Sequence, residues 1–265
     1  KYRDANFLLS NLVNADSKIL RDRSPATRVR KVAPWLTLDG DPYPAVINGR
    51  ITWILDAYTT SANIPYAAHT TLGEVTIDSL TGQPMSQDRV NYIRNSVKVV
   101  VDAYQGSVTF YLAEPNDPII ATLARAFPTL LKPLSAMPAD LRTHVRYPEG
   151  IFQIQASVYA TYHMTNPAVF YNKEDQWEAP SVDSSGENQR MSPYYTMMKL
   201  PGEQAAEFIQ MLPFTPRRKD NLSAWLVARS DGDHYGTLRV FQFPKQKVIF
   251  GPRQVVARMN QDQEI

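Results

Sequence analysis

The sequence predicts an α+β fold, mostly antiparallel sheet(s) with a central helical segment. Two hairpin signals occupy the first 116 residues, and short apolar runs separated by turn residues return after residue 192. Between them, the apolar residues change to a helical spacing. We therefore predict a hairpin-rich α+β part at 1–116 that begins with a helix, a helical segment with an exposed loop at 117–192, and an antiparallel β part at 193–265. A chain of this length can pack all three into one domain.

The N-terminal part carries the most specific turn signal. Apolar residues three to five apart between residues 2 and 20 predict an amphipathic helix. The runs Ala45–Ile47 and Arg50–Tyr58 flank Asn48-Gly49. This pair favours a type I′ hairpin because both central residues of that turn need positive φ. A second hairpin is predicted over Ser96–Leu112, with its turn at Gln105-Gly106.

The middle of the chain has the spacing of helices. Helical patterns follow Asp117, stop or kink at Pro128, resume at Pro138, continue over Pro148–His163 and end with a short turn after Asn166-Pro167. Residues 172–192 are polar and Ser-rich, which predicts an exposed loop.

The last third contains apolar runs of strand length. They are Tyr194–Leu200, Glu207–Pro213, Leu222–Arg229, Thr237–Phe243 and Val248–Phe250. Prolines at 213, 216, 244 and 252 favour edges and crossings over long central strands. A helix is predicted to start near Gln254 and run to Gln261.

Composition excludes several classes of chemistry. The chain has no Cys, which rules out disulfides, thiol nucleophiles and cysteine-ligated metals. The chain has 28 Lys plus Arg and 26 Asp plus Glu, which gives a net charge of +2. This charge does not indicate a nucleic-acid-binding surface, so we expect no nucleic-acid partner. There is no phosphate-binding glycine loop, G-x-S-x-G elbow or metal-binding histidine motif, so we expect no cofactor and lean against an enzyme. No apolar run approaches the roughly 20 residues that a membrane span needs.

Two Asp-Gly-Asp turns offer paired carboxylates. Asp39-Gly40-Asp41 and Asp231-Gly232-Asp233 could supply oxygen ligands to calcium, but neither continues into a twelve-residue calcium loop. Tight turns use the same residues, because Asp caps its own backbone and Gly accepts positive φ. We therefore expect turns and no metal site.

Arg142, His144 and Arg146 form the densest cationic group inside the chain. On a helix, the two arginines would share a face that could bind a phosphate, a carboxylate or a lipid head group. The alternative, which we favour, is internal pairing with acidic residues such as Glu149 or Asp140.

A second basic segment lies near the N-terminus. Residues 1–35 carry eight Lys or Arg against three acidic residues, a net +5. Its centre is Arg21, Arg23, Arg28, Arg30 and Lys31. This basic patch could face anionic lipid at a membrane-proximal position, or simply remain solvated.

Several segments in order resemble one protein family. They are Arg28–Leu36, Asp39–Pro44, Ile51–Thr60, Asn91–Lys98, Leu141–Pro148, Phe170–Trp177, Met211–Pro216, Gly251–Gln254 and Ala257–Asp262. The chain resembles uncharacterised protein family 0182, which are large bacterial multi-pass membrane proteins. The resemblance implies a soluble extracytoplasmic region of a cell-membrane protein, with the membrane itself as a partner through a transmembrane region outside this sequence. It implies no catalytic residue.

Three functions follow as hypotheses. The first is a non-enzymatic binding or interaction role at the cell envelope, with a protein or lipid partner. The second is a substrate-receiving domain of an envelope transport or export system. The third is an envelope hydrolase, which a pocket with several strongly shifted titratable groups would favour.

Overall fold

The predicted α+β class is confirmed by a computed structural model of the chain. The structure describes residues 9–12, 14–17, 21–77, 82–184 and 187–262. The helices in these ranges are α1 Pro25–Val32, α2 Leu72–Val75, α3 Pro118–Ala126, α4 Ala139–Arg142, α5 Glu149–Tyr162, α6 Pro167–Asn172 and α7 Pro252–Gln261. The helix predicted between residues 2 and 20 lies largely outside the described residues.

The strands lie mostly before and after the group of helices α4, α5 and α6. They are β1 Thr37–Leu38, β2 Tyr43–Ile47, β3 Arg50–Ser61, β4 Thr70–Thr71, β5 Arg89–Val90, β6 Tyr92–Asp102, β7 Val108–Leu112, β8 Leu131–Pro133, β9 Trp177–Glu178, β10 Ser181–Ser184, β11 Glu187–Arg190, β12 Tyr194–Lys199, β13 Ala206–Pro216, β14 Ala224–Arg229 and β15 Leu238–Gln242.

The first sheet confirms both predicted hairpins. Its order is β1-β3-β6-β7-β8, and β2 pairs with the first half of β3. Asn48 and Gly49 have φ of 50° and 73°, as the type I′ turn between β2 and β3 requires. Strands β6 and β7 form the second hairpin, while β8 joins parallel to β7 after α3 has crossed over.

The second sheet contains β12-β13-β14-β15 in order, all antiparallel, with β9 also pairing to β13. The preference for edges and crossings over long central strands that the prolines predict is wrong for β13, which spans 11 residues between β12 and β14. The physical reason is a gap in pairing: β12 pairs as far as Met211, and β9 begins at Thr215. Pro213 lies in that gap, where its missing N–H costs no ladder hydrogen bond. The run Val248–Phe250 forms only an isolated bridge from Phe250 to Asn221.

The middle segment is helical as predicted, but residues 172–192 are not simply an exposed loop. They contain β9 and the β10–β11 hairpin, and Trp177 in β9 is buried. Polar composition predicted solvent exposure, yet the pairing of Trp177 with Pro216 draws this segment onto the edge of the second sheet.

Helix α5 joins the two sheets. One apolar core contains Tyr58 of β3, Phe152 of α5, and Phe214 and Leu226 of the second sheet. Gly150 allows the helix to approach the first sheet, since a Cβ there would lie 3.0 Å from a carboxylate oxygen of Asp39. The helix is thereby fixed on both sides, and one of its faces forms a wall of the cleft described next.

Candidate functional site

A cleft of about 490 Å³ opens between α5, the β9 edge and β13. Its volume lies within the range of small-molecule sites, roughly 300–1,000 Å³. Gln153, Ala156, Ser157 and Ala160 project from α5 at helical spacing and form one wall. These residues stand on a helix packed against both sheets, so the cleft is built on a rigid support.

The floor of the cleft is aromatic and apolar. Trp177 is 5% exposed, and its ring lies 5.7 Å from that of Phe214, centroid to centroid. His163 stacks on the indole at 3.6 Å with a 19° angle between the planes. Leu212 completes the floor from the same strand as Phe214.

Three buried polar atoms at this floor have no hydrogen-bond partner within the described residues. They are Nε1 of Trp177, Oε1 of Gln176 and Nε2 of His163. Gln176 and Trp177 line the cleft. A buried indole N–H normally finds an acceptor, so this donor is an exception within the described residues, although it is enclosed and not part of the accessible surface of the cleft.

The cleft is also lined by three cations, Lys173, Arg190 and Arg217, and two carboxylates, Glu74 and Glu178. Glu178 lies 3.7 Å from Arg190 and accepts a hydrogen bond of 2.9 Å from the backbone N–H of Arg218. The side chains of Lys173 and Arg217 form no ion pair or side-chain hydrogen bond in the part of the chain that the structure describes.

Gln153 closes the inner end of the cleft. Its amide binds both backbone groups of Ile77 at 2.7 Å and donates a 3.0 Å hydrogen bond to Glu149. Behind it lies a cavity of about 10 Å³ bordered by Asp39 and Glu149, the size of one water molecule.

Asp39 is the most perturbed carboxyl near the cleft. Burial raises its pKa to about 6, and the charge of Asp56 adds to that effect. The Tyr58 hydroxyl and the Gly150 N–H, the latter at 3.1 Å, donate to the same carboxylate oxygen. Asp39 therefore fixes the first turn of α5 against β3.

Arg142, His144 and Arg146 do not form one cationic face. Helix α4 ends at Arg142, whose guanidinium donates to the backbone oxygen of Leu134 at 2.8 Å. His144 is exposed, and its Nδ1 lies 2.8 Å from the backbone oxygen of Asp140.

Arg146 points inward instead. It forms an ion pair with Asp41, and its guanidinium carbon lies 3.9 Å and 4.5 Å from the ring centroids of Tyr43 and Tyr195. The internal partner is thus Asp41, and neither Glu149 nor Asp140 pairs with this arginine among the described contacts. An anion-binding role of the three residues stays a prediction.

The basic patch lies on and before α1. Arg21, Arg23, Arg30 and Lys31 are exposed, and Lys31 pairs with Asp22 at 2.6 Å. Arg28 donates to the backbone oxygens of Gly106 at 2.9 Å and Arg21 at 3.3 Å, so it fastens α1 to the β6–β7 turn. A groove of about 700 Å³ runs beside it, past Trp53 and Tyr104. Its contact with a membrane stays a prediction.

The carboxylates of the first Asp-Gly-Asp turn make internal contacts: Asp39 binds Tyr58 and Gly150, and Asp41 pairs with Arg146. In the second turn, Asp231 accepts the Phe208 N–H at 2.7 Å.

A different set, Glu203, Glu207 and His234, brings ligand atoms within 4.8 Å of one another. Both of its carboxylates pair with Arg229, and Glu203 also pairs with Arg239 at 2.8 Å. Two guanidinium groups already neutralise this set, which argues against a bound cation.

The cleft escaped prediction because its residues are far apart in sequence. Trp177 and Arg217 come from separate segments, and no spacing rule relates them. A large aromatic residue inside the polar segment 172–192 is nevertheless a signal that this segment returns to the core.

Comparison with known proteins identifies the family. A family profile described as an uncharacterised protein family (UPF0182) matches residues 1–265. The chain belongs to the UPF0182 family. This confirms the resemblance found in the sequence.

Similar UPF0182 proteins occur in several organisms. The chain is 50% identical to one from Bradyrhizobium diazoefficiens over 264 residues, which cover 100% of this chain and 27% of that protein. It is 48% identical to a UPF0182 protein from Methanospirillum hungatei over 258 residues, 97% of this chain and 28% of the relative. A Geobacter sulfurreducens UPF0182 protein is 48% identical over 266 residues, again 28% of its length. The chain thus spans little more than a quarter of these curated relatives, and no solved structure matches it.

Among the described residues, no helix has both the length and the apolar character required to cross a bilayer.

Proposed function

We propose that this chain is a non-catalytic ligand-binding domain of a multi-pass membrane protein in the cell envelope, located outside the cytoplasmic membrane. The observation that carries the binding role is the cleft of about 490 Å³ on the rigid support of α5. The membrane context is supported by the greater length of the UPF0182 relatives, which leaves room for membrane-spanning segments.

A binding role fits the position of the perturbed groups better than hydrolysis does. A general acid or base must reach the substrate within hydrogen-bonding distance. Asp39 and Tyr58 instead bind each other and the α5 backbone behind Gln153, where the adjoining cavity holds about one water. The shifted pKa values therefore belong to the joint between α5 and the first sheet.

The binding role is testable by filling the cleft. Ser157 is an exposed residue that lines it, so Ser157→Trp should block the cleft without disturbing the core. Val158→Trp, at an exposed neighbouring position that does not line the cleft, is the matched control. Native mass spectrometry of the purified protein should show a retained small molecule for the wild type and the control but not for Ser157→Trp. A bare mass for all three, or equal retention by all three, would contradict the proposal.

The proposed location can be tested by thiol labelling, because the chain contains no Cys. In the native polypeptide, Tyr171→Cys would place a thiol at a position that is 86% exposed. A membrane-impermeant maleimide should label it in intact cells above the background of the unsubstituted polypeptide. The buried Ala228→Cys should react only after denaturation. Labelling of Tyr171→Cys only after the membrane is permeabilised would overturn the location.

A further inference from the structure

We infer that the cleft selects an anionic amphiphile, a molecule with a phosphate-like or carboxylate-like head and an apolar tail. This inference rests on the binding role proposed above and specifies its ligand class. It combines a cationic lining with an aromatic floor in one cavity.

The charge at the cleft favours an anion. Among its lining residues, Lys173 and Arg217 have no anionic partner in the described ranges, whereas Glu178 is occupied by Arg190 and the Arg218 N–H. Two cations of the described lining are therefore available to a ligand, and Glu74 is the carboxylate that opposes them. A concave site with excess positive charge concentrates anions, and a guanidinium can bind two oxygens of a phosphate or carboxylate at once.

The floor favours an apolar group. Trp177 and Phe214 present ring surface, and Leu212, Ala156 and Ala160 present aliphatic surface to the same cavity. A simple inorganic anion would leave this surface wet. An apolar tail would instead remove it from water, at a gain of about 25 cal/mol per Å² buried.

The position of Arg217 beside the aromatic floor is a third feature. Arg217 follows directly after β13, and its backbone N–H donates a 2.8 Å hydrogen bond to the backbone oxygen of Gln176, next to Trp177. Trp177 is in turn the register partner of Pro216, the last residue of β13. The ligand's charged head is therefore placed at this strand pair.

Calorimetric titration with matched single-chain probes tests the inference. Octyl phosphate, octyl glucoside and octyltrimethylammonium share one tail and differ in head charge, while inorganic phosphate lacks the tail. We expect octyl phosphate to bind at least about tenfold more tightly than the other three, since a charge-assisted hydrogen bond has about that effect. Binding should disappear in Ser157→Trp and persist in Val158→Trp.

Arg217→Gln removes one cation from the cleft and should weaken octyl phosphate binding about tenfold while leaving octyl glucoside unchanged. Lys219→Gln makes the same charge change two residues away and outside the cleft lining, so its effect should stay below about twofold. Lys173→Gln provides an independent test if thermal melting shows that Arg217→Gln is misfolded.

Two negative outcomes have different meanings. If octyl glucoside or octyltrimethylammonium binds as tightly as octyl phosphate, and Ser157→Trp blocks it, the charge selection is wrong and the binding role stands. If no octyl probe binds and no small molecule is retained by the purified protein, the charge selection and the ligand-binding role are both wrong.

The amphiphile could come from a bilayer or from solution. Vesicles of phosphatidylglycerol and phosphatidylcholine, added during the titration, separate these sources. Displacement of octyl phosphate from the cleft by vesicles identifies a membrane lipid. Unchanged binding of octyl phosphate in the presence of vesicles indicates that the natural ligand is a free amphiphile with the same kind of head and tail.

Discussion

Asp56 and Lys98 form a buried ion pair across the two central strands of the first sheet. They are direct register partners on β3 and β6, and their side chains are only 4% and 1% exposed. Asn95 donates a further hydrogen bond of 3.1 Å to the Asp56 carboxylate. The pair therefore joins the two strands through charges that water does not reach.

Removing one partner of this pair should destabilise the fold strongly. Lys98→Met leaves the Asp56 charge buried and uncompensated, which costs about 3–5 kcal/mol of unfolding free energy. The double variant Asp56→Leu/Lys98→Met should be more stable than Lys98→Met alone, because no buried charge remains. Chemical denaturation measures both.

The solvent-exposed pair of Lys245 and Asp175 provides the control. Its side chains are 80% and 28% exposed and approach to 2.7 Å. Lys245→Met should cost less than about 1 kcal/mol. An equal loss of unfolding free energy in Lys98→Met and Lys245→Met would contradict the importance of the buried pair.

The joint between Asp39 and α5 predicts a pH dependence of stability. Because the folded pKa of Asp39, about 6, is above the ordinary 3.8, the folded protein binds this proton more tightly than the unfolded chain. The contribution of Asp39 to stability is then largest below about pH 4 and falls as pH rises through about 6. The difference in pKa corresponds to about 3 kcal/mol.

Asp39→Asn isolates this contribution. Asn keeps an acceptor for Tyr58 and Gly150 but does not titrate between pH 4 and 7. Denaturation curves at several pH values should show wild type losing stability relative to Asp39→Asn between pH 4 and 6, and a constant difference above pH 7. Parallel curves over the whole range would show that burial does not raise this pKa.

Local turn chemistry explains why much of the fold was predictable. Asn48-Gly49 specifies its turn by backbone conformation alone, and Pro in the first helical turn marks the starts of α3 and α6, both predicted. Pro also opens α1, for which no helix is predicted, and α7, which is predicted to start two residues later, near Gln254. The placement of β13 was not predictable, because whether Pro213 is tolerated depends on where β12 and β9 stop pairing with it.

The site depends on long-range contacts that local sequence does not encode. Arg146 meets Asp41 across 105 positions, so inspection of nearby acids named the wrong partner. The tripeptide Asp-Ala-Tyr, which occurs twice, shows the same limit of local sequence. In Asp56–Tyr58 the Asp is buried in mid-strand, whereas in Asp102–Tyr104 the Asp caps the turn after β6 by accepting the Tyr104 and Gln105 N–H groups.

Asp117 should contribute more to the free energy of unfolding than an ordinary helix cap does. It accepts the N–H groups of Ile119 and Ile120 at the start of α3, and it is 2% exposed. Three hydroxyls of the first sheet also donate to it, those of Thr59, Ser96 and Tyr92, at 2.5–2.6 Å. Asp117→Ala would leave these donors buried without their acceptor and should cost about 3 kcal/mol or more.

The cap of α6 is the comparison. Asn166 accepts the N–H groups of Ala168 and Val169 but is exposed. Asn166→Ala should cost only about 1 kcal/mol, the usual value for a cap. Equal losses of unfolding free energy in the two variants would show that the hydroxyl bonds to Asp117 add nothing.

Replacement by Ala should affect stability much more at Arg146 than at Arg142. Arg146→Ala removes the partner of Asp41, which is 9% exposed, and the cation between two tyrosine rings, so it should cost about 3 kcal/mol. Arg142 is exposed and binds one backbone oxygen, so Arg142→Ala should change stability by less than about 1 kcal/mol. Thermal and chemical denaturation measure both changes in stability.

Because Arg142→Ala leaves the fold intact, its co-sedimentation with phosphatidylglycerol vesicles reports on anion binding alone. Weaker sedimentation than wild type would support the predicted anion-binding role of Arg142, and unchanged sedimentation would contradict it.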